Sequence, residues 1–272
     1  MLSFDLNHAF APGESTPDDV VQAFFRAFMP DFYFVNTPIS RMRRHLQIIR
    51  RLPEAPLILD FHQPDGAHFT ELTLCAPDDA QPGLLSKIAG ALAHMKIEVH
   101  TAWIHTLFDP HDMESGRRIA LDTLVLSESS LGQSRPLSAK TRERVARTLK
   151  PILKQQSGMS ALLIKLSRRA PPLKIEELSA TAHGNGLCRI VLRAGDDLTV
   201  LFRVTRALAM LKIDIAHAQI STPETLVDDV FFVRRAGGAP LENAEIASLL
   251  FALRETLQKD TLENKVGEST HG

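Results

Sequence analysis

The sequence predicts an α/β (α+β) protein that contains two copies of one small module behind an N-terminal helical segment. The main observation is an internal repeat, in which Leu85–Val99 aligns without a gap with Leu201–Ile215. The apolar positions match throughout the two stretches, which is typical of a duplicated structural unit. Hydrophobic residues make up 44% of the 272 residues, enough for each copy to have a packed core.

The flanks of the repeat extend the alignment, and its length changes only where loops are expected. The aligned helix and strand are 116 residues apart, as Leu85 and Leu201 show. Upstream, Asp78 lies over Asp196 at a distance of 118 residues. Downstream, Asp122 lies over Asp229 at a distance of 107 residues. The first copy therefore has longer loops before its helix and after its second strand.

Each copy shows the pattern strand, helix, strand, strand, helix, and one further strand would complete a ferredoxin-like βαββαβ module. The predicted elements of the first copy are Phe69–Cys75, Pro82–Met95, Ile97–Thr106, Ile119–Leu126 and Thr141–Lys154. Those of the second copy are Cys188–Leu192, Val200–Leu211, Ile213–Thr222, Val227–Arg234 and Leu241–Leu257. Candidates for the missing strand of the first copy are Ala161–Leu166 and Lys174–Ala180. The chain after Leu257 is polar, so the candidate for the missing strand of the second copy is also Lys174–Ala180. The sequence does not decide which copy uses this segment.

Composition shifts along the chain predict the domain boundaries. Residues 1–16 are rich in Pro, Gly, Ser and Thr and predict a flexible terminus, whereas 17–66 show amphipathic helical spacing and form a helical lead-in. The first module is predicted to cover 67–170 and the second 171–260, with a polar tail over 261–272.

The bulk properties exclude several classes of protein. A net charge of −1 gives no overall field that would attract nucleic acid or a membrane surface. The two cysteines, Cys75 and Cys188, form no CxxC pair, so neither a zinc knuckle nor a disulfide scaffold is expected. The sequence shows neither a signal peptide nor an apolar stretch long enough to span a membrane. We therefore expect a cytoplasmic protein without a metal or another cofactor.

The repeated residues resemble an ACT domain. The resemblance rests on the segments 76–85, APDDAQPGLL, and 97–106, IEVHTAWIHT, in the first copy, and on 207–222, ALAMLKIDIAHAQIST, in the second. The tandem arrangement is similar to the C-terminal regulatory region of the bifunctional enzymes that attach uridylyl groups to the PII signal protein and remove them. Residues 29–46 are similar to the stretch that precedes the ACT pair in that family.

The chain also departs from that family. The segment before residue 67 is too short for a nucleotidyltransferase or an HD hydrolase domain, and we find no Gly-Ser followed by a paired-Asp metal motif. His111-Asp112 is a literal His-Asp pair, but a phosphohydrolase needs further metal ligands around it. We therefore expect a regulatory protein without catalytic residues.

A ligand site in such a module needs three features, and the sequence offers candidates for each. A glycine lets backbone approach a ligand closely, the following helix N-terminus offers N–H groups to a carboxylate, and an acidic side chain on the second strand takes an ammonium group. In the first copy Gly83 and Glu98 fit these roles, and in the second copy Asp214 occupies the position of Glu98. The complete set of candidates is Asp78, Gln81, Pro82, Gly83, Leu84, Glu98, Asp196, Asp197 and Asp214.

The first copy is predicted to be the better site, because the second has Leu198-Thr199 where the first has Pro82-Gly83. Completion of this site by the second copy across an interface stays open. A turn glycine often has only a backbone role, so Gly83 could merely shape the loop while Glu98 stays solvated. The resemblance implies a small amino-acid effector of the glutamine type and signalling to a protein partner. A ligand-free interaction scaffold and an enzyme remnant related to uridylyltransferases are the alternatives. The exposed edge strands of such modules predict side-by-side pairing, within the chain or in a homodimer.

Overall fold

A computed structural model of the chain describes residues 16–55, 57–78, 82–130, 133–154, 173–195, 197–222 and 226–268. The helices are α1 Asp18–Phe28, α2 Asp31–Asn36, α3 Ile39–Arg50, α4 Leu84–His94, α5 Ala139–Leu153, α6 Val200–Met210 and α7 Asn243–Glu268. The strands are β1 Ile58–His62, β2 Thr70–Pro77, β3 Ile97–Phe108, β4 Arg118–Ser130, β5 Gln133–Arg135, β6 Ile175–His183, β7 Leu187–Gly195, β8 Ile213–Ser221 and β9 Leu226–Arg235. No helix among these residues is both long and apolar enough to cross a membrane.

The strands follow the order β1-β2-β4-β3-β8-β9-β7-β6, and β5 pairs with β4. The α/β fold with ferredoxin-like modules is therefore confirmed. By its pattern of contacts the chain divides into two compact units. The first consists of Met1–Asp60, Thr73–Asp78 and His105–Asp122, and the second of Phe61–Leu72, Asp79–Ile104 and Thr123–Gly272.

The first unit has its core between the helices α1 to α3 and one face of its strand segments. Apolar residues recur every three to four positions on α1 and α3, so each helix buries one stripe. Phe24, Phe25 and Ile49 are fully buried there. They share one cluster with four strand residues, which are Cys75, Leu107, Ile119 and Leu121. The arginines of α3 lie largely on the other side, where Arg44 pairs with Asp60 at 3.2 Å.

A buried polar contact crosses this core. Tyr33 Oη and His45 Nδ1 are 2.8 Å apart, and both side chains are buried. Burial, with help from Arg41 and Arg44, lowers the pKa of His45 to about 3. The ring is therefore neutral at physiological pH, and its Nδ1 can accept the hydrogen bond from the phenol. This arrangement satisfies two polar groups that would otherwise be costly to bury.

In the second unit, the two copies of the repeat lie side by side. Strand β3 is the neighbour of β8, and the N–H of Thr222 donates to the carbonyl of His100 at 3.1 Å. Helix α4 packs against α5 and α6, and α6 packs against α7. The pairing predicted from exposed edge strands thus occurs within one chain.

The strand that completes each copy precedes that copy in sequence. Strand β6 pairs with β7 in antiparallel fashion, from Ile175 opposite Ala194 to His183 opposite Leu187. The use of Lys174–Ala180 by the second copy is therefore correct. In the first copy the corresponding strand is β1, beside β2, so the use of Lys174–Ala180 there is wrong; the other candidate, Ala161–Leu166, lies outside the described residues.

Two further expectations differ from the structure. Residues 58–62 form a strand inside the range 17–66 that is predicted as a helical lead-in; Ile58 and Phe61 favour extended backbone. The last helix continues to Glu268 through most of the expected polar tail. This continuation is consistent with the absence of proline and the rarity of glycine in that segment. Residues 1–15 of the expected flexible terminus lie outside the described residues.

The duplication is also visible in backbone geometry. Lys96 and Lys212, which are 116 residues apart, both follow a helix with positive φ, at 58° and 60°. Their N–H groups donate to Ala93 and Ala209, three residues earlier in each copy. A lysine in this left-handed conformation is strained, because its Cβ approaches the backbone too closely. The same strained residue is therefore present at the same turn in both copies.

Replacing either lysine by glycine should stabilise the fold. We expect Lys96→Gly and Lys212→Gly each to raise the free energy of unfolding in urea by about 0.5–1 kcal/mol, because glycine removes the strain at the end of the helix. Arg147→Gly, on the exposed face of α5, is the control and should lower it by about 1 kcal/mol. If both lysine variants lose stability like the control, the left-handed geometry is wrong.

Buried aspartates repeat in the same way. Asp122 Oδ1 accepts from the N–H of His105 at 3.4 Å in the first unit. In the second unit, Asp229 Oδ1 accepts from the N–H of Ser221 at 3.3 Å. Burial, together with the negative charge of Asp78, raises the pKa of Asp122 to about 8, although the hydrogen bond from His105 opposes this. The Asp122 carboxyl is therefore largely protonated near neutral pH.

This raised pKa predicts a specific pH dependence of stability. Between about pH 4 and pH 8 the folded chain holds a proton on Asp122 that the unfolded chain releases, so the contribution to stability falls as pH rises. Asp122→Asn, which keeps an acceptor oxygen, should gain stability relative to the unmodified protein between pH 5 and pH 8, on the order of a few kcal/mol. Urea unfolding at both pH values measures this difference. The exposed-site control Asp65→Asn should show no such gain, and an equal result for both variants would contradict the assignment.

Candidate functional site

A cavity of about 290 Å³ lies in the second unit, where elements of both copies meet. The first copy contributes residues of α4, β3 and β5, and the second contributes the start of α6 and parts of β8 and β9. The polar residues that line it are Glu98, His100, Ser134, Asp197, Thr222 and Asp229. The apolar wall includes Ala89, Ala93, Val200, Leu201, Ile220 and Val227. This volume and mixed lining suit a small polar ligand.

Glu98 is the central carboxylate on the first-copy side of the cavity. Its Oε2 accepts hydrogen bonds from the hydroxyls of Ser127 and Ser134, each at 2.9 Å. The ring of His100 lies close to both groups, with Nε2 at 2.7 Å from Ser127 Oγ and at 3.8 Å from Glu98 Oε2. These contacts hold the carboxylate in place while about a third of its side chain stays exposed.

The start of α6 forms the second-copy side. Asp197 Oδ1 accepts from the N–H of Thr199 at 2.8 Å and also from its hydroxyl, which fixes the turn that leads into the helix. The helix begins at Val200, which is buried in the cavity wall. A helix N-terminus carries a partial positive charge and N–H groups that suit a carboxylate. The lining of the cavity thus includes both a fixed carboxylate and a helix start.

The charge of the lining is mainly negative. Glu98 and Asp197 contribute carboxylates, and Asp229 contributes a fully buried carboxyl group. The described lining contains one histidine, His100, and neither lysine nor arginine. Such a wall favours ligands with ammonium or amide N–H groups and disfavours additional negative charge. Glu98 and Ser127 both approach the same nitrogen of His100, whereas in a Ser-His-acid triad the acid and the serine contact different ring nitrogens.

The structure brings only some of the predicted site residues together. Glu98 and Asp197 line the same cavity, although they belong to different copies. Asp214 is bound to Arg234, whose Nε donates to Asp214 Oδ2 at 3.1 Å. Asp78 directly follows β2, and its N–H donates to the carbonyl of Arg118. Gln81 and Asp196 lie outside the described residues.

Gly83 precedes α4 at φ 139°, a conformation that side chains rarely adopt. A Cβ there would lie 3.7 Å from the Cβ of Ala209 on α6 and 3.8 Å from Ser86 Oγ. Pro82 is half-buried and Leu84 is buried in the first turn of α4. Any larger residue at position 83 would strain the backbone, so a substitution there cannot separate a ligand contact from a structural role.

Sequence reasoning missed His100, Ser127, Ser134 and Asp229 as neighbours of the site. Asp229 was visible as the partner of Asp122 in the repeat, but nothing in the sequence indicated that it would face a cavity. His111, weighed as part of a His-Asp pair, has its Nε2 at 2.9 Å from the carbonyl of Ile49. Within the described ranges, no group of three or more His, Cys, Asp or Glu could hold a metal ion.

Comparison with known proteins gives clear relatives. The chain is 30% identical over 251 residues to the bifunctional uridylyltransferase/uridylyl-removing enzyme of Rhodospirillum rubrum, which is 87% of this chain and 25% of that protein. The corresponding enzyme of Streptomyces coelicolor is 30% identical over 193 residues, or 69% of this chain and 22% of its own length. This chain is homologous to part of these enzymes. The resemblance seen in the sequence is therefore confirmed.

The chain spans about a quarter of the length of these relatives. A similar protein from Bradyrhizobium sp. strain ORS 278, with the same description, is 27% identical over 248 residues. Among solved structures, aspartate kinase from Synechocystis matches with a TM-score of 0.37 and 13% identity, over 72% of this chain and 27% of that one. No protein-family model matches the chain.

Proposed function

We propose that this chain is a regulatory, non-catalytic protein that binds a small amino acid of the glutamine type in the cavity between its two copies. The observation that carries the proposal is that Glu98, a carboxylate hydrogen-bonded to two serines, lines the same cavity as the start of α6. An α-amino acid has an ammonium group and a carboxylate on one carbon atom. Glu98 would bind the ammonium group. The N–H groups of α6 that follow Val200 would bind the carboxylate, because the N–H groups of Thr199 and Val200 already donate to Asp197.

The homology supports a regulatory role. The relatives are bifunctional enzymes, and the chain corresponds to about a quarter of their length. We propose that the bound amino acid changes how the two copies pack and that this change is passed to a partner that transfers or removes uridylyl groups. A location in the cytoplasm and a role in nitrogen or amino-acid metabolism follow from the same proposal.

Calorimetric titration with glutamine tests the proposal directly. We expect saturable binding, and we expect Glu98→Gln to weaken it about 10- to 100-fold, because a hydrogen bond to a charged group contributes about 1.5–3 kcal/mol. Glu176→Gln, on the exposed part of β6, removes one negative charge away from the cavity and should bind like the unmodified protein.

The same titration has two outcomes that would contradict the proposal. Equal affinity of the Glu98 and Glu176 variants would remove Glu98 from the site. Silence with glutamine and with every other amino acid, from a sample shown to be folded by circular dichroism, would reject the sensor. A ligand-free interaction scaffold would then be the better description.

The acidic lining makes a second prediction about the ligand's side chain. Glutamate should bind at least about 10-fold more weakly than glutamine, because its extra carboxylate would lie near the carboxylates of Glu98 and Asp197. Asp197→Asn should narrow the difference in affinity between glutamine and glutamate, since the asparagine oxygen can still accept from Thr199 but carries no charge. Competition titrations with both amino acids measure the ratio. A ratio near one in the unmodified protein would show that the carboxylates do not select the ligand.

A further inference from the structure

The two copies place a carboxylate at the same position but surround it differently. Glu98 of β3 corresponds to Asp214 of β8, at the repeat distance of 116 residues. On the adjacent strand, Ser127 of β4 corresponds to Arg234 of β9, at the repeat distance of 107 residues. A neutral hydroxyl in one copy is thus replaced by a guanidinium in the other.

Among the described residues, the carboxylate of Glu98 is not ion-paired with a lysine or an arginine. Its partners are the hydroxyls of Ser127 and Ser134 and, at 3.8 Å, the imidazole of His100. Neither lysine nor arginine lies within ion-pair distance of Glu98 among the residues that the structure describes. Hydroxyl donors orient a carboxylate but leave its charge in place, so an incoming ammonium group gains the full charge-assisted interaction.

Around Asp214 the charge is already matched. The β8–β9 register places Asp214 directly opposite Arg234, and Arg234 Nε lies 3.1 Å from Asp214 Oδ2. The two side chains are only 17% and 23% exposed, so water screens the ion pair weakly. His217 on the same strand does not compete for the carboxylate as a cation, because burial and the charge of Arg234 lower its pKa to about 4.

The loop opposite each carboxylate differs as well. The cavity wall beside Glu98 includes Ala93 of α4 and Leu198 before α6. In the other half of the repeat, Ala209 corresponds to Ala93, and Pro82-Gly83 corresponds to Leu198-Thr199. A Cβ at Gly83 would meet that of Ala209 at 3.7 Å, an ordinary van der Waals distance. The start of α4 therefore lies next to Ala209 of α6, with room for a Cβ between them.

We infer that the chain binds one ligand, at Glu98, and that Arg234 takes at Asp214 the place that the ligand's ammonium group takes at Glu98. This inference rests on the proposed amino-acid binding. A guanidinium held on the adjacent strand has a high effective concentration at Asp214, so a free amino acid does not displace it. The second copy is thereby kept permanently in the ion-paired state that the first copy reaches only with its ligand.

Binding stoichiometry tests the inference. Calorimetric titration of the unmodified full chain with glutamine should give one site per chain. Asp214→Asn should keep that site with affinity unchanged within about twofold, whereas Glu98→Gln should weaken it about 10- to 100-fold. Arg234→Ser installs the residue that the first copy has at this position, and it should add a second, weaker site. Arg234→Gln serves the same purpose if the serine variant does not fold.

The outcomes separate this inference from the proposed function. Two equivalent sites in the unmodified protein, or loss of binding in Asp214→Asn, would overturn the inference and leave amino-acid binding intact. A single site in folded Arg234→Ser and Arg234→Gln would show that Arg234 does not occupy the second position. Absence of any amino-acid binding in the unmodified protein would overturn the proposed function and this inference with it.

Discussion

The pairing of β3 with β8 is the interaction on which the candidate site depends. The hydrogen bond from Thr222 to His100 belongs to this pairing, and both residues also line the cavity. Because the pairing occurs within one chain, the two halves of the cavity can have different sequences. A symmetric homodimer of single modules would form two identical sites at such an interface. Duplication within one chain removes that constraint.

The two copies differ in the charge that lies beside the corresponding carboxylates, Glu98 and Asp214. The sequence of the second copy supplies its own cation to Asp214, while Glu98 of the first copy is held by neutral hydroxyls. The same duplicated backbone therefore contains one carboxylate in a structural ion pair and one that faces a cavity. An ion pair as buried as that of Asp214 also resists exchange, since breaking it would leave a partly buried charge without its partner. The difference gives the two copies separate roles without a difference in fold.

The sequence alone predicted the repeat and most of its helices and strands, because the hydrophobic period is preserved across both copies. Strand β1 was missed, since five residues beside a helical segment carry little periodic signal. The site was predicted less completely than the fold. Glu98 and Asp197 were both candidates, and completion of the first site by the second copy was an open alternative, but the sequence did not indicate which residues the pairing of β3 with β8 would bring to one cavity.

The partners of Glu98 could not be predicted for the same reason. Ser134 belongs to β5, a three-residue strand with no counterpart in the repeat, and its position depends on pairing with β4. The role of Arg234 depends on the register of β8 and β9, which places it opposite Asp214. Spacing along the chain indicates such residues but does not identify their neighbours, because cross-strand contacts are set by register.

Hydrogen–deuterium exchange with and without glutamine is the most direct test of amino-acid binding between the two copies, because it locates a ligand without changing a residue. We predict slower exchange in the peptides that contain 98–100 and 197–203, because both segments contribute residues to the cavity lining. Peptides around 82–86 and 213–215, at the corresponding position of the other half, should be unaffected. Protection of that second pair alone, or unchanged exchange throughout the folded protein at saturating glutamine, would contradict it.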